Sequence, residues 1–165
     1  MASARELPLL FVRHAVAEDS HVLGDEARAL TPEGRAAFRH HARKLARLTP
    51  LRGILTSPLV RAVQTAELLA EAFGVSGVEV HPALLPQRGA HKRIVELARE
   101  RGPGWALVGH NPSLERAALR ALDHDLPDKL RKGAALALNA LADGDFTLAW
   151  WATPGKPVKR PGGLR

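Results

Sequence analysis

The chain has 165 residues, of which 45% are hydrophobic and 25% charged, a composition typical of one globular domain and not of a disordered or fibrous protein. It contains no cysteine, which excludes disulfides, thiolate zinc sites and a cysteine nucleophile and is compatible with a cytoplasmic location. No apolar run approaches the roughly 20 residues of a membrane span. The apolar run at residues 7–12 is too short for the core of a signal peptide, so we expect no membrane partner.

The net charge is +7, from 24 basic and 17 acidic side chains, and the excess is concentrated in two segments. Residues 34–66 carry seven Lys or Arg and no carboxylate, and residues 155–165 carry four more with no acid. The plainest interpretation is a solvated basic face followed by a mobile tail. A nucleic-acid surface is the alternative, but aromatic residues make up only 4% of the chain, too few to stack on bases. We therefore favour the steering of anionic substrates and expect no specific nucleic-acid partner.

The first half of the chain predicts alternating strands and helices. Residues 7–12 form a continuous apolar run, as expected of a strand buried on both faces. Thr31 is a typical helix cap, and a helix is predicted over residues 32–49. A short strand over residues 53–56 precedes a second helix over residues 58–73.

The second half continues this alternation and ends in a hairpin. The elements are a strand at 78–80, a helix at 92–101, a strand at 105–108, a helix after Pro112, and a hairpin of residues 134–141 and 146–152. This order predicts a three-layer α/β sandwich with a mainly parallel central sheet flanked by helices. We expect residues 1–152 to form a single domain and residues 153–165 to be a basic, mobile tail.

Two histidines and two arginines follow three of the predicted strands. Arg13 and His14 end the first strand, Arg61 lies just beyond the second, and His110 follows the strand at 105–108. Folds of this class place their sites at the carboxyl ends of the strands. Guanidinium groups bind phosphate, and imidazole is suited to nucleophilic or proton-transfer chemistry. The four side chains therefore predict an anion pocket with a nucleophile in it.

Three sequence motifs resemble those of a known family. Residues 11–15 (FVRHA) are similar to the Arg-His-Gly signature of the histidine phosphatase superfamily, which has the phosphoglycerate-mutase-like fold. Residues 55–66 (LTSPLVRAVQTA) resemble its second arginine segment, and residues 108–112 (VGHNP) resemble its second histidine. The short length and residues 25–31 (DEARALT) are most similar to the small SixA-type phosphohistidine phosphatases.

This resemblance implies a role for each matched residue. His14 would be the nucleophile that carries the phosphoryl group, and Arg13 and Arg61 would hold the phosphate oxygens. His110 would bind a phosphate oxygen and stabilise charge during transfer, and Arg28 matches a further basic residue of the small branch. No metal and no cofactor is implied.

The sequence departs from the family pattern at two positions. Ala15 replaces the usual glycine, a change we interpret as neutral. Ala90 stands where many relatives have an acidic residue that protonates the leaving group, so the identity of the general acid is left open. Glu18 and Asp19, in the loop after His14, are the candidate general acids, and the alternative is that both are exposed loop residues.

The leading functional hypothesis is a metal-independent phosphatase that forms a covalent phosphohistidine intermediate and acts on phosphohistidine in a protein. A small-molecule phosphomonoesterase of the same superfamily is the alternative enzyme. A non-catalytic module that binds phosphate or nucleic acid is the alternative from another class, and the four matched residues argue against it. The sequence leaves the oligomeric state open.

Overall fold

The computed structural model describes residues 7–162, in which six strands form one sheet. The strands are β1 (Leu9–Arg13), β2 (Gly53–Thr56), β3 (Glu79–Val80), β4 (Trp105–Gly109), β5 (Ala135–Ala140) and β6 (Phe146–Ala152). They lie in the order β3-β2-β4-β1-β5-β6, and the first four are parallel to one another. β5 pairs antiparallel with β1 and with β6, so the predicted C-terminal hairpin forms one end of the sheet.

Two pairs of helices cover the two faces of this sheet. The helices are α1 (Pro32–Ala46), α2 (Val60–Phe73), α3 (Ala90–Arg101) and α4 (Ser113–Leu122). Successive residues of β1 point to opposite faces, so that Phe11 packs in the core shared with α3 and α4, and Val12 in the core shared with α1 and α2. The predicted three-layer α/β sandwich is confirmed. Within residues 7–162, no helix is both long enough and apolar enough to cross a membrane.

Most helix ends follow the capping residues of the sequence. The Thr31 hydroxyl accepts a hydrogen bond from the Gly34 amide (2.9 Å) at the start of α1, and Gly74 ends α2 in the left-handed conformation (φ 70°). The start of α2 differs from the prediction. The Ser57 hydroxyl accepts from the Leu59 amide (3.2 Å) and so holds the turn ahead of the helix, which begins at Val60.

The segment that follows β6 makes specific contacts with the domain. The main chain of Lys159 exchanges two hydrogen bonds with Trp151 (2.9 and 3.0 Å), and Val158 packs against the core on the α1 side. The Lys44 ammonium donates to the carbonyl of Lys156 (2.6 Å). Val158 and this backbone pairing attach the segment to the domain, and the mobile tail over residues 153–165 stays a prediction. Residues 163–165 of that tail lie outside the described residues.

Gly34 lies where α1 approaches the loop after β1. A Cβ at this position would collide with the carbonyl oxygen of Val16, which accepts a hydrogen bond from the Thr31 amide (3.1 Å). Neither backbone can move without breaking that bond. A side chain at position 34 is therefore excluded by space.

We expect Gly34→Ala to destabilise the protein by about 1–3 kcal/mol, the usual cost of overpacking. Helix propensity alone predicts the opposite sign, a gain of up to about 1 kcal/mol for alanine over glycine. Urea unfolding measures the difference, and the exposed substitution Ala37→Ser in the same helix serves as the control. A stabilised Gly34→Ala variant would contradict the close approach of these two segments.

His41 is a buried titratable side chain in α1. Only 1% of its surface is exposed, and its ring lies edge-on to that of Phe38 with the centroids 6.2 Å apart. Burial lowers the pKa of His41 to about 4. The unfolded chain binds a proton there below a pKa of about 6.5. Stability is therefore lost as the pH falls from 6.5 towards 4, because only the unfolded state is protonated in that range.

We expect His41→Leu to weaken this acid sensitivity. Between pH 7.5 and pH 5 the wild-type protein should lose about 2 kcal/mol more unfolding free energy than the variant, the amount that follows from the lowered pKa. Urea unfolding at the two pH values measures the loss. The neighbouring His40 is exposed, so His40→Leu should keep the wild-type difference. Equal losses in the wild type and in His41→Leu would rule out a neutral buried His41.

Candidate active site

The ends of three neighbouring parallel strands bring two histidines together. β1 pairs with β4 so that Arg13 is opposite Gly109, and the His14 amide donates to the Gly109 carbonyl (3.0 Å). His110 follows directly, and the ring centroids of His14 and His110 are 5.2 Å apart. The predicted meeting of these residues at one edge of the sheet is what the structure shows.

The His14 ring is oriented by the main chain. Its Nδ1 lies 2.7 Å from the carbonyl oxygen of Ala15, and because a carbonyl only accepts, Nδ1 carries the proton and donates it. Nε2 therefore keeps its lone pair. The Ala15 amide in turn donates to the Thr65 hydroxyl (3.0 Å), which donates to the Arg61 carbonyl (2.7 Å). This chain of bonds ties the loop after β1 to α2.

The surroundings of His14 keep its ring neutral. Burial is the largest cause, and the charges of Arg61, Arg13 and Lys132 add to it, so that the pKa of His14 falls to about 4. The hydrogen bond to Ala15 acts in the opposite direction. At neutral pH the ring is therefore unprotonated at Nε2 and surrounded by positive charge.

His110 is held by a serine that the sequence indicated only as a helix cap. The Ser57 hydroxyl is 2.8 Å from His110 Nε2 and also accepts from the Leu59 amide. When the hydroxyl donates its proton to Nε2, the His110 proton is on Nδ1. Burial is the largest cause that lowers the pKa of His110 to about 3, and the neighbouring His14 ring, whose protonation would oppose a second proton, and the charge of Arg61 add to it, so this ring is neutral as well.

Arg61 is buried beside a carboxylate. Its side chain is only 7% exposed, and it donates from NH1 to the Asp25 carbonyl (3.0 Å) and from NH2 to Asp25 Oδ2 (3.2 Å). Asp25 Oδ1 accepts from Arg28 (2.8 Å), whose Nε donates to the carbonyl of Glu18 (2.6 Å). Arg28 is thus linked to Arg61 through Asp25 and makes no direct hydrogen bond to either histidine among residues 7–162.

Three buried nitrogens of this site have no hydrogen-bond partner within the described part of the chain. They are Arg13 Nε, Arg61 Nε and His110 Nδ1. A buried donor without a partner costs about 1–3 kcal/mol, so such groups are uncommon in a core. All three belong to residues at the three strand ends, so unsatisfied buried nitrogens are concentrated where the predicted site residues meet.

Neither of the two candidate general acids, Glu18 and Asp19, has its carboxylate hydrogen-bonded to the arginines or histidines of the site within residues 7–162. The Glu18 carboxylate accepts from the Ala29 amide (2.8 Å) and so ties together the two ends of its loop. Asp19 is exposed and forms no side-chain hydrogen bond within residues 7–162. The carboxylate that does lie beside the predicted phosphate-binding residues is Asp25, which follows Glu18 by seven positions.

Sequence reasoning missed four residues that shape this site. Thr65 follows Arg61 by four positions on the same helix face, and that spacing was the available signal. Ser57 was recognised only as a cap, and its bond to His110 spans 53 residues. Asp25 and Lys132 lie in loops whose paths the local sequence does not define. Among residues 7–162 no group of three His, Cys, Asp or Glu could hold a metal ion.

Comparison with known proteins identifies the family. The family model described as histidine phosphatase superfamily (branch 1) matches residues 9–85, the part of the chain that contains Arg13, His14 and Arg61. An uncharacterized protein of Picosynechococcus sp. is 37% identical over 157 residues, which cover 86% of this chain and 94% of that protein.

Solved structures of the same architecture are also similar to this one. The protein histidine phosphatase SixA complexed with tungstate matches with a TM-score of 0.77 and 24% identity, over 90% of this chain and 97% of that chain. A putative phosphohistidine phosphatase SixA from Agrobacterium tumefaciens matches with a TM-score of 0.74 and 24% identity, over 90% of this chain and 99% of that chain. A phosphoserine phosphatase from Entamoeba histolytica matches with a TM-score of 0.70 and 15% identity, over 90% of this chain and 98% of that chain.

At these identities the structural matches establish the fold, and they confirm the phosphoglycerate-mutase-like architecture expected from the sequence. They include enzymes named for different substrates, so they leave the substrate open. The family model carries the assignment further. The chain belongs to branch 1 of the histidine phosphatase superfamily.

Proposed function

We propose that this protein is a phosphatase that carries the phosphoryl group on His14 and acts on phosphohistidine in a protein partner. Membership of the superfamily supplies the class, a phosphatase with a catalytic histidine. The observation that carries the assignment to His14 is its ring: Nδ1 donates to Ala15, and Nε2 is a free lone pair among three cations. A neutral imidazole in such a place is a nucleophile with its charge-stabilising groups already in position.

In the first step, the lone pair of His14 Nε2 attacks phosphorus. The bond from phosphorus to the substrate's ring nitrogen breaks, and its electron pair returns to that nitrogen. Arg13 and Arg61 meet the charge on the phosphoryl oxygens, and the His110 Nδ1–H is available as a further donor. The Ala15 carbonyl stabilises the positive charge that His14 acquires, because it accepts from the opposite nitrogen.

In the second step, a water oxygen attacks the phosphorus of phosphorylated His14. The bond from phosphorus to Nε2 breaks, and the electron pair returns to the ring, which becomes neutral again. The proton that the water loses passes to the released phosphate or to solvent. The lowered pKa of His14 favours this step, because the ring is a good leaving group when its neutral form is stable.

The site's carboxylates support phosphohistidine as the substrate. An alkyl phosphate needs an acid to protonate its leaving oxygen, whereas a phosphorylated imidazole with a proton on its other nitrogen leaves as a neutral ring. Ala90 provides no acid, and the Glu18 carboxylate is engaged by the Ala29 amide. The hydrogen bond and charge of Arg28, with those of Arg61, lower the pKa of Asp25, which keeps that carboxylate ionised.

A protein partner is supported by an exposed apolar turn next to the site. Val22 and Leu23 are 96% and 79% exposed, at the tip of a turn closed by hydrogen bonds from Gly24 and Leu23 back to His21 (3.0 Å each). Asp25, which contacts Arg61, is two positions after Leu23. Exposed apolar side chains beside a phosphate-binding pocket suit contact with a macromolecule more than with a small polar phosphate.

The intermediate gives the most direct test. We expect brief incubation with ³²P-labelled phosphohistidine protein to label the enzyme on His14, with the lability to acid and stability to alkali of a phosphoramidate. His14→Ala should give no label and no turnover. His124→Ala, in an exposed position, should behave as the wild type. Label on another residue type, or turnover by His14→Ala, would refute the mechanism, and faster turnover of small phosphomonoesters would favour the alternative enzyme.

We expect Arg61→Ala to lower kcat/KM by about 10²–10³-fold, the usual loss when one preorganised transition-state donor is removed. Arg61→Lys should recover only part of the rate, since it restores charge but not the planar fork of donors. Arg43→Ala, on the exposed face of α1, is the matched control. Steady-state kinetics on an aryl phosphate measures all three. Wild-type rates in both Arg61 variants would exclude this residue from phosphate binding.

A further inference from the structure

The loop between β1 and α1 places one carboxylate at the rim of the site. Asp25 joins Arg28 and Arg61 through its two carboxylate oxygens (2.8 and 3.2 Å), and its main-chain carbonyl accepts a second bond from Arg61. The Asp25 side chain is nevertheless 61% exposed, against 7% for Arg61. Each carboxylate oxygen has two acceptor positions, so each oxygen of Asp25 keeps one acceptor position besides its bond to an arginine.

The other carboxylates near the site are engaged elsewhere. Glu18 accepts from the Ala29 amide, and Glu115 accepts from the Leu130 amide (2.7 Å). Two guanidinium groups keep Asp25 ionised, so it can accept a hydrogen bond but has no proton to give. Only 6% of the His14 surface is exposed, so Asp25 lies nearer to solvent than the nucleophile.

The group that leaves phosphorus departs on the side opposite to the attacking nitrogen, because the attacking and leaving atoms are roughly in line. His14 attacks from the buried end of the site, so the leaving group of a protein substrate departs towards solvent, where an exposed carboxylate in contact with Arg61 can meet it. When its second ring nitrogen is protonated, a phosphorylated imidazole presents an N–H from the nitrogen that is not bonded to phosphorus. An aryl or alkyl phosphate has no such donor, and its leaving oxygen becomes negative.

We propose that Asp25 selects phosphorylated imidazole as the substrate by accepting a hydrogen bond from that N–H. This inference rests on the proposed function and deepens it. As the bond from phosphorus to nitrogen breaks, the electron pair returns to the ring, the proton stays on the other nitrogen, and the ring leaves neutral. The carboxylate stabilises the protonated ring beforehand, and it repels the negative oxygen that a phosphomonoester must release.

The test compares two substrates in the full-length protein. Free phosphohistidine and p-nitrophenyl phosphate are turned over by the wild type, Asp25→Asn and Asp25→Glu. Asp25→Asn should lower kcat/KM for phosphohistidine by about tenfold or more, because it removes a hydrogen bond to a charged group. It should raise kcat/KM for p-nitrophenyl phosphate, and Asp25→Glu should restore the wild-type preference in part. Glu26→Gln, which changes the adjacent exposed carboxylate, should leave both values unchanged.

A pH profile adds a measurement that a structural role would not change. The carboxylate favours the protonated ring in the complex, so kcat for phosphohistidine should persist to higher pH in the wild type than in Asp25→Asn. Equal losses on both substrates would mean that Asp25 only positions Arg61 and Arg28, and would overturn the inference. An unchanged ratio would overturn it as well.

The two proposals fail in different ways. If wild-type enzyme forms no acid-labile label on His14 with either substrate, the proposed function itself is refuted. If His14 is labelled and the ratio of the two kcat/KM values does not change in Asp25→Asn, only the role of Asp25 is refuted.

Discussion

The site depends on keeping one imidazole neutral while it is surrounded by positive charge. Burial and the charges of Arg61, Arg13 and Lys132 all oppose a proton on His14, and the Ala15 carbonyl decides which nitrogen retains its lone pair. Two of these cations also have other partners in the structure. Arg13 donates to the Leu130 carbonyl (3.2 Å), and Arg61 donates to Asp25. Such partners fix the positions of the guanidinium groups, which is what the proposed binding of a phosphoryl group requires.

The sheet supplies the positions that this pattern requires. Three parallel strands end at one edge, and short hydrogen-bonded links join them: His14 to the Gly109 carbonyl, and His110 to Ser57. Thr65 adds a link from α2 to the loop that carries His14. Residues that belong to different elements are thereby held in one rigid frame. Such preorganisation is what electrostatic stabilisation of a transferring phosphoryl group needs.

Local sequence was enough to predict the fold and the meeting of the four central side chains, since Arg13, His14 and His110 lie at the ends of apolar strands and Arg61 lies in the first turn of the next helix. It was not enough for Asp25. Four acids lie in the loop after β1, and which of them meets Arg61 depends on the path of a loop that a short 3₁₀ turn at Asp25–Ala27 closes. The segment after β6 shows the same limit. Its composition does not reveal that Val158 packs against the core, because that contact depends on tertiary structure.

The return of the chain after β6 also has a consequence for the molecule in solution. β6 is the last strand of the sheet, and both main-chain groups of Trp151 are occupied by Lys159. An open strand edge of this kind is a template on which another chain can add, and native proteins block such edges with short covering segments and with lysine. Lys159 therefore occupies the outer edge of β6 at Trp151, so another chain could pair with this strand only at its remaining residues.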